Sequence, residues 1–130
     1  MLFVIAVAAA VAGPAIGRTT EGMRMRTEVA GFSATLRHAR EQAVATQRPH
    51  RVEINPHEHR MSVIADEADV RLTRSLPSHI TIEAMPRPAL TVRFEGHGVS
   101  SGGDFRLGSG GVFWVVSVDA LTGRVRVSRQ

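Results

Sequence analysis

Few residues in this chain have the types and spacing that chemistry requires. Histidines stand at 38, 50, 57, 59, 79 and 97, and only His57-Glu58-His59 groups metal-ligand types closely. Alternate residues of an extended segment point to opposite sides, and no third ligand is near in sequence, so that triplet reads as a solvated turn. Ser100, Ser101 and Ser109 lie in glycine-rich stretches without a G-x-S-x-G elbow or an identifiable His/Asp partner. Gly102-Gly103 and Gly110-Gly111 lack the lysine and the strand-to-helix setting of a phosphate loop. They read as tight turns. No catalytic residue, metal ligand or cofactor-binding residue is therefore assigned, and an enzyme is not expected. Arg124, Arg126 and Arg129 are different: three permanently charged, planar heads in six residues could clamp phosphates. The plainer reading is an edge strand whose arginines discourage sheet-to-sheet aggregation.

Composition narrows the classes further. The 130 residues suffice for one compact domain. All 16 basic residues are arginine, and against 12 acids they leave a net charge of +4, which permits nucleic-acid binding without demanding it. Cysteine is absent, which removes disulfides, Cys-ligated zinc, iron–sulfur clusters and thiol nucleophiles together. Tyrosine is absent too, so a stacking platform for single strands has little to build on.

The elements that would carry these residues follow from hydropathy. The first 17 residues, MLFVIAVAAAVAGPAIG, hold no charge. As a helix they would span roughly 25 Å, somewhat less than the hydrocarbon core of a bilayer. A signal peptide would show a basic front, and a buried helix would need protein on every side; a membrane-anchoring helix fits best. Gly13-Pro14 predicts a kink. From Arg18 the pattern becomes amphipathic: Met25, Val29, Phe32, Leu36, Ala39, Ala43 and Ala45 or Thr46 step by threes and fours, with Arg24, Arg26, Glu28, Arg37, Arg40 and Glu41 on the other faces. Pro49 predicts an end near Gln47 or Arg48.

Beyond Pro49 the period becomes two. Strands are predicted at His50–Ile54, Arg60–Ile64, Ile80–Glu83, Leu90–Phe94, Phe105–Leu107, Val112–Val118 and Arg124–Ser128, with Asp66–Ser75 a charged loop and Met85–Pro88 a Pro-rich connection. Val112–Val118, nearly all apolar, is expected to be central or buried on both faces. The domain plan is a helix over 1–48, its first 17 residues membrane-anchoring, followed by an antiparallel β domain over 49–130.

That plan resembles a type IV pilin or pseudopilin, an α+β fold with a long N-terminal helix packed on a small antiparallel β domain. The second half sharpens it: Phe94, Gly96–Gly98, Ser101–Gly103, Phe105–Leu107 and Thr122–Arg124 stand in the order found in the minor-pseudopilin H family of type II secretion, which shares its domain with the FimT minor pilins. Leu36–Ile54 resembles that family's run from helix into first strand. The resemblance implies a non-enzymatic subunit of the pseudopilus, anchored by a single pass in the inner membrane with its C-terminal domain in the periplasm and packing on other pseudopilins. It also implies an alternative: DNA-binding FimT relatives carry a Gly-Arg-x-Arg tail, and Gly123-Arg124-Val125-Arg126 matches it, so Arg124, Arg126 and Arg129 would bind DNA in natural transformation. The family's precursor carries a basic leader, a Gly-Phe cleavage site and a glutamate at the fifth mature residue. None is in this sequence, and Met1–Ile5 resembles the stretch just after that glutamate. The start is therefore expected to lie inside the true reading frame, and the chain as written is expected not to be processed or N-methylated.

Overall fold

The computed structural model describes residues 2–65, 69–85 and 90–130, with side chains in the helix from Gly22 onward. The expected membrane-anchoring side chains of 1–17 and most of the Met85–Pro88 connection lie outside the described residues. One helix, α1, runs Leu2–Thr46 and is continuous across Gly13-Pro14. At 1.5 Å per residue it is about 68 Å long. It stops one residue earlier than predicted. Gln47 takes a left-handed conformation at φ 55°, and the Arg48 amide donates to the Ala43 carbonyl at 3.2 Å, closing the last turn ahead of Pro49.

Among the described residues eight strands follow: β1 His50–Asn55, β2 Arg60–Ala65, β3 Asp69–Ser75, β4 Thr81–Met85, β5 Thr91–Phe94, β6 Gly103–Ser109, β7 Val112–Val118 and β8 Val125–Arg129. They form two four-stranded sheets with orders β3-β2-β1-β5 and β4-β6-β7-β8, every pair antiparallel. The turns obey local rules. Ser109 pairs with Val112, leaving the two-residue loop Gly110-Gly111, both at positive φ, the backbone twist a tight hairpin demands. Between β1 and β2, the Asn55 side chain accepts the Glu58 amide at 3.1 Å and Glu58 pairs with Arg60.

One expectation needs correction, and another is met in one of its two forms. Asp69–Ser75 is a strand and not a loop: it supplies the outer partner for β2, from Arg60↔Ser75 to Ala65↔Asp69. Its side chains are nearly all exposed, Val70 by 56%, so burial left no mark on its composition. β7 is central, as expected, but only one face is core. Val116 and Val118 are buried, whereas Phe113, Val115 and Ser117 are half-buried.

Helix and sheets share one core. Met25, Val29, Phe32, Leu36, Ala39 and Ala43 of α1 enter it, as the spacing predicts, while Ala45 and Thr46 remain exposed. They meet Val52, Ile54, Met61, Val63, Val92 and Phe94 from the first sheet and Phe105, Leu107, Val116, Val118 and Val125 from the second. Phe32 and Phe105 contact edge-to-face, ring centroids 5.7 Å apart. The helix thus fills the angle between the two sheets, each contributing alternate residues of its inner face.

Candidate functional site

Several of the residues singled out for chemistry have structural roles. Ser100 is buried: its hydroxyl donates to the Asp119 carbonyl at 2.7 Å and accepts the Gly102 amide at 3.0 Å. The Ser101 hydroxyl accepts the Arg93 amide. Both serines staple the β5–β6 connection to its neighbours. His57 is exposed at the β1–β2 tip, and His59 sits beside it with φ 52°. Among the described residues no three of His, Cys, Asp and Glu cluster as metal ligands. His50 is buried at the start of β1, its Nδ1 donating to the Arg48 carbonyl at 3.0 Å.

What the fold does assemble is a junction between the C-terminal half of α1 and two glycine turns. Arg40 Nε donates to the Thr122 carbonyl at 3.0 Å, and Arg37 Nη2 donates to the Val125 carbonyl at 3.1 Å. Gly123, φ 70°, lies so close to the Gly98 turn that a Cβ there would stand 2.5 Å from the Gly98 carbonyl oxygen. A Cβ on Gly96 would meet the Gln47 backbone at 2.8 Å. Asp119 organises the last turn, its carboxylate accepting the Leu121 amide at 2.8 Å and its carbonyl accepting the Gly123 amide at 2.8 Å. Gly96–Gly98 and Thr122–Arg124, well apart in sequence, are therefore one interlocked unit fastened to the helix by two arginines.

The three C-terminal arginines are not gathered on one surface. Arg126 pairs with Ser117, on the face turned away from the core, in a row that continues to Asp104 on β6. Arg124 precedes β8, its amide bonded to the Thr122 hydroxyl. Arg129 alternates to the opposite face, directly across from Trp114. The outer face that carries Arg126 also holds Glu83, Asp104 and Arg106, whose guanidinium lies 3.8 Å over the Phe113 ring. A phosphate clamp of Arg124, Arg126 and Arg129 acting together is not what this register builds.

The helix itself has a second face. Opposite the core stripe, Met23, Thr27, Ala30, Ala34, His38, Glu41 and Ala45 are exposed, and the middle of that row is small-residued. Among the described residues no helix is long and apolar enough to cross a membrane.

The profile of the family described as Type II transport protein GspH matches residues 28–123. Type II secretion system protein H of Xanthomonas campestris pv. campestris is 30% identical over 135 residues, covering 97% of this chain and 76% of that protein. Among solved structures, the type IV minor pilin FimU of Pseudomonas aeruginosa superposes with a TM-score of 0.69 at 15% identity, over 84% of this chain and 91% of that one. The minor pseudopilin EpsH from the Type 2 Secretion System of Vibrio cholerae gives 0.66 at 13% identity, over 80% and 95%.

Proposed function

The chain belongs to the GspH family of type II transport proteins, and from that membership we propose that it is a minor pseudopilin. In this role it is a non-enzymatic, structural subunit of the periplasmic pseudopilus. The uncharged front of α1 holds it in the inner membrane as a single pass and later packs among the helices of other pseudopilins, while the β domain faces the periplasm. The observation that carries this reading is the division of labour along and around α1. Its first 17 residues are uncharged, its core stripe begins at Met25, and its opposite face offers Thr27, Ala30 and Ala34. Small residues let a neighbouring helix approach closely.

The test uses the absence of cysteine. Ala34→Cys gives a single thiol on the exposed helix face. In cells making the whole secretion machine, the variant is expected in the membrane fraction and, after oxidation, in a disulfide adduct with a pseudopilin bearing a cysteine on its own helix. A chain recovered wholly with soluble proteins, without an adduct, overturns the proposal.

A further inference from the structure

The core ends near Met25, but the inner face of the second sheet extends one cross-strand pair further. Trp114 and Arg129 stand opposite each other in the β7–β8 register, on the face that carries Val116, Val118 and Val125. With Val112 they roof a cleft of about 700 Å³ whose floor is Met25 of α1, flanked by Arg24 and Arg26, with Met23 at its rim. Among the described residues no Asp or Glu lines it. Among the described residues Arg24, Arg26 and Arg129 have no ion-pair partner, in contrast to Arg74, which reaches Glu28 at 3.6 Å. Met23 is 61% exposed. Three cations around one cleft, beside an exposed methionine and a half-buried tryptophan, are a poor way to finish a core. They suit a surface that is anionic outside and apolar just beneath.

The position along the helix says which surface. Arg24 and Arg26 follow the last residue of the uncharged run, Gly17, by seven and nine positions, about 10–14 Å of helix rise. Helical side chains lean toward the N-terminus, so both guanidinium groups reach back toward that run. With the run in hydrocarbon, they fall at headgroup depth, where guanidinium grips phosphate bidentately and tryptophan settles between apolar and wet layers.

The geometry points to this cleft as a docking site for the anionic phospholipid surface: Arg24, Arg26 and Arg129 bind headgroup phosphates and Trp114 seats at headgroup level. The inference rests on the membrane anchoring proposed above, and goes beyond it by fixing how the β domain lies on the bilayer.

Trp114 is the only tryptophan, so its fluorescence reports the cleft alone. The full chain is reconstituted into vesicles of phosphatidylcholine, or of phosphatidylcholine mixed with phosphatidylglycerol, with and without a nitroxide-headgroup lipid. The expected result is blue-shifted Trp114 emission and nitroxide quenching in the mixed vesicles, relieved by salt. Each of Arg24→Gln, Arg26→Gln and Arg129→Gln should lower the docked-to-free ratio about fivefold, and Arg129→Lys should largely keep it. Equal access of aqueous iodide to Trp114 in both lipids overturns the inference, as does equal docking on the neutral lipid. So does inorganic phosphate alone reproducing the shift, which would make the cleft a free-anion site. Flotation with neutral vesicles reads the anchor separately. A chain that floats with Trp114 still in water refutes the docking alone, and one that does not float refutes both.

Discussion

Phe32→Ala tests whether α1 is part of the head's core or a rod to which the head is loosely tied. Phe32 is fully buried at 0% exposure, midway along the core stripe, its ring edge-to-face with Phe105 of β6. Truncating a buried Phe to Ala costs about 3–5 kcal/mol from lost transfer energy and the cavity left behind. A domain of this size has a total stability of about 5–15 kcal/mol. With each kcal/mol worth about 4–8 °C in a small domain, the melting temperature should fall by about 12 °C or more. The assay is thermal unfolding of the full chain in detergent, followed by Trp114 emission and near-ultraviolet circular dichroism, both of which report tertiary packing rather than helix content. The internal control lies two residues away. Ala34 is exposed on the opposite side of the same helix, so Ala34→Leu should change stability by no more than about 0.5 kcal/mol while impairing assembly with other pseudopilins. A Phe32→Ala protein melting within about 2 °C of the unaltered chain, well under the shift expected for 1 kcal/mol, would refute the shared core. Equal losses from both variants would refute the two-faced helix.

The junction at the C-terminal half of α1 yields two further expectations. Gly123→Ala forces a side chain into a left-handed position, costing about 1–2 kcal/mol before the clash with the Gly98 carbonyl is counted, so melting should fall by at least about 4 °C. Gly22→Ala, with nothing near the new methyl, should instead stabilise α1 by about 0.5–1 kcal/mol in the same assay. In the double variant Arg37→Gln/Arg40→Gln, two cationic donors are lost, one to Thr122 in the last turn and one to Val125 at the start of β8. Discounted for their exposure, they are worth about 1 kcal/mol each. Hydrogen exchange should then show protection of the Gly123 amide and the β8 amides falling roughly tenfold or more, with β1 and β2 amides unmoved.

How far the sequence could be read depends on what each residue's environment demands of it. The stripe from Met25 to Ala43 was legible because burial in a single core selects residue type at helical period. β3 was not, because an exposed edge strand is held by the hydrogen-bonding needs of β2 and not by burial. Its sequence, Asp-Val-Arg-Leu-Thr-Arg-Ser, puts charge in both phases, since Arg74 is in step with Val70 and Leu72; a bulge opposite Val63 and Ile64 breaks the alternation, and Leu72 is 39% exposed. Arg37 and Arg40 read as solvent-face charges, and their donation to carbonyls more than 80 residues away carries no local signature. Arg129 was half legible. Strand alternation separates it from Arg126, but its pairing with Trp114 is a fact of register, and the register follows from the turn at Asp119–Gly123.

The location of the family-like residues bears on where partner choice resides. Gly96, Gly98, Ser101, Gly102, Thr122 and Gly123 resemble the family in order, and the structure gathers them around Gln47, Arg40 and Asp119, where each answers a backbone requirement: a left-handed φ, a close approach, or an amide seeking an acceptor. They report how the head is fixed to the helix. A subunit that must recognise neighbours has to do so with side chains that the fold leaves uncommitted. Among the described residues those include the exposed face of α1 through Thr27, Ala30 and Ala34, and the edge strand β3 with Val70 and Leu72. The helix face is small-residued and suits any close-packed rod, so it favours assembly without discriminating among partners. The β3 edge combines two exposed aliphatics with the Arg71–Asp69 pair at 2.8 Å, a mixture of shape and charge able to distinguish one neighbour from another. Substitutions at Val70 and Leu72 should therefore alter which pseudopilins co-purify with the chain while leaving its melting temperature in place, and the reverse pattern should mark Gly96 and Gly123.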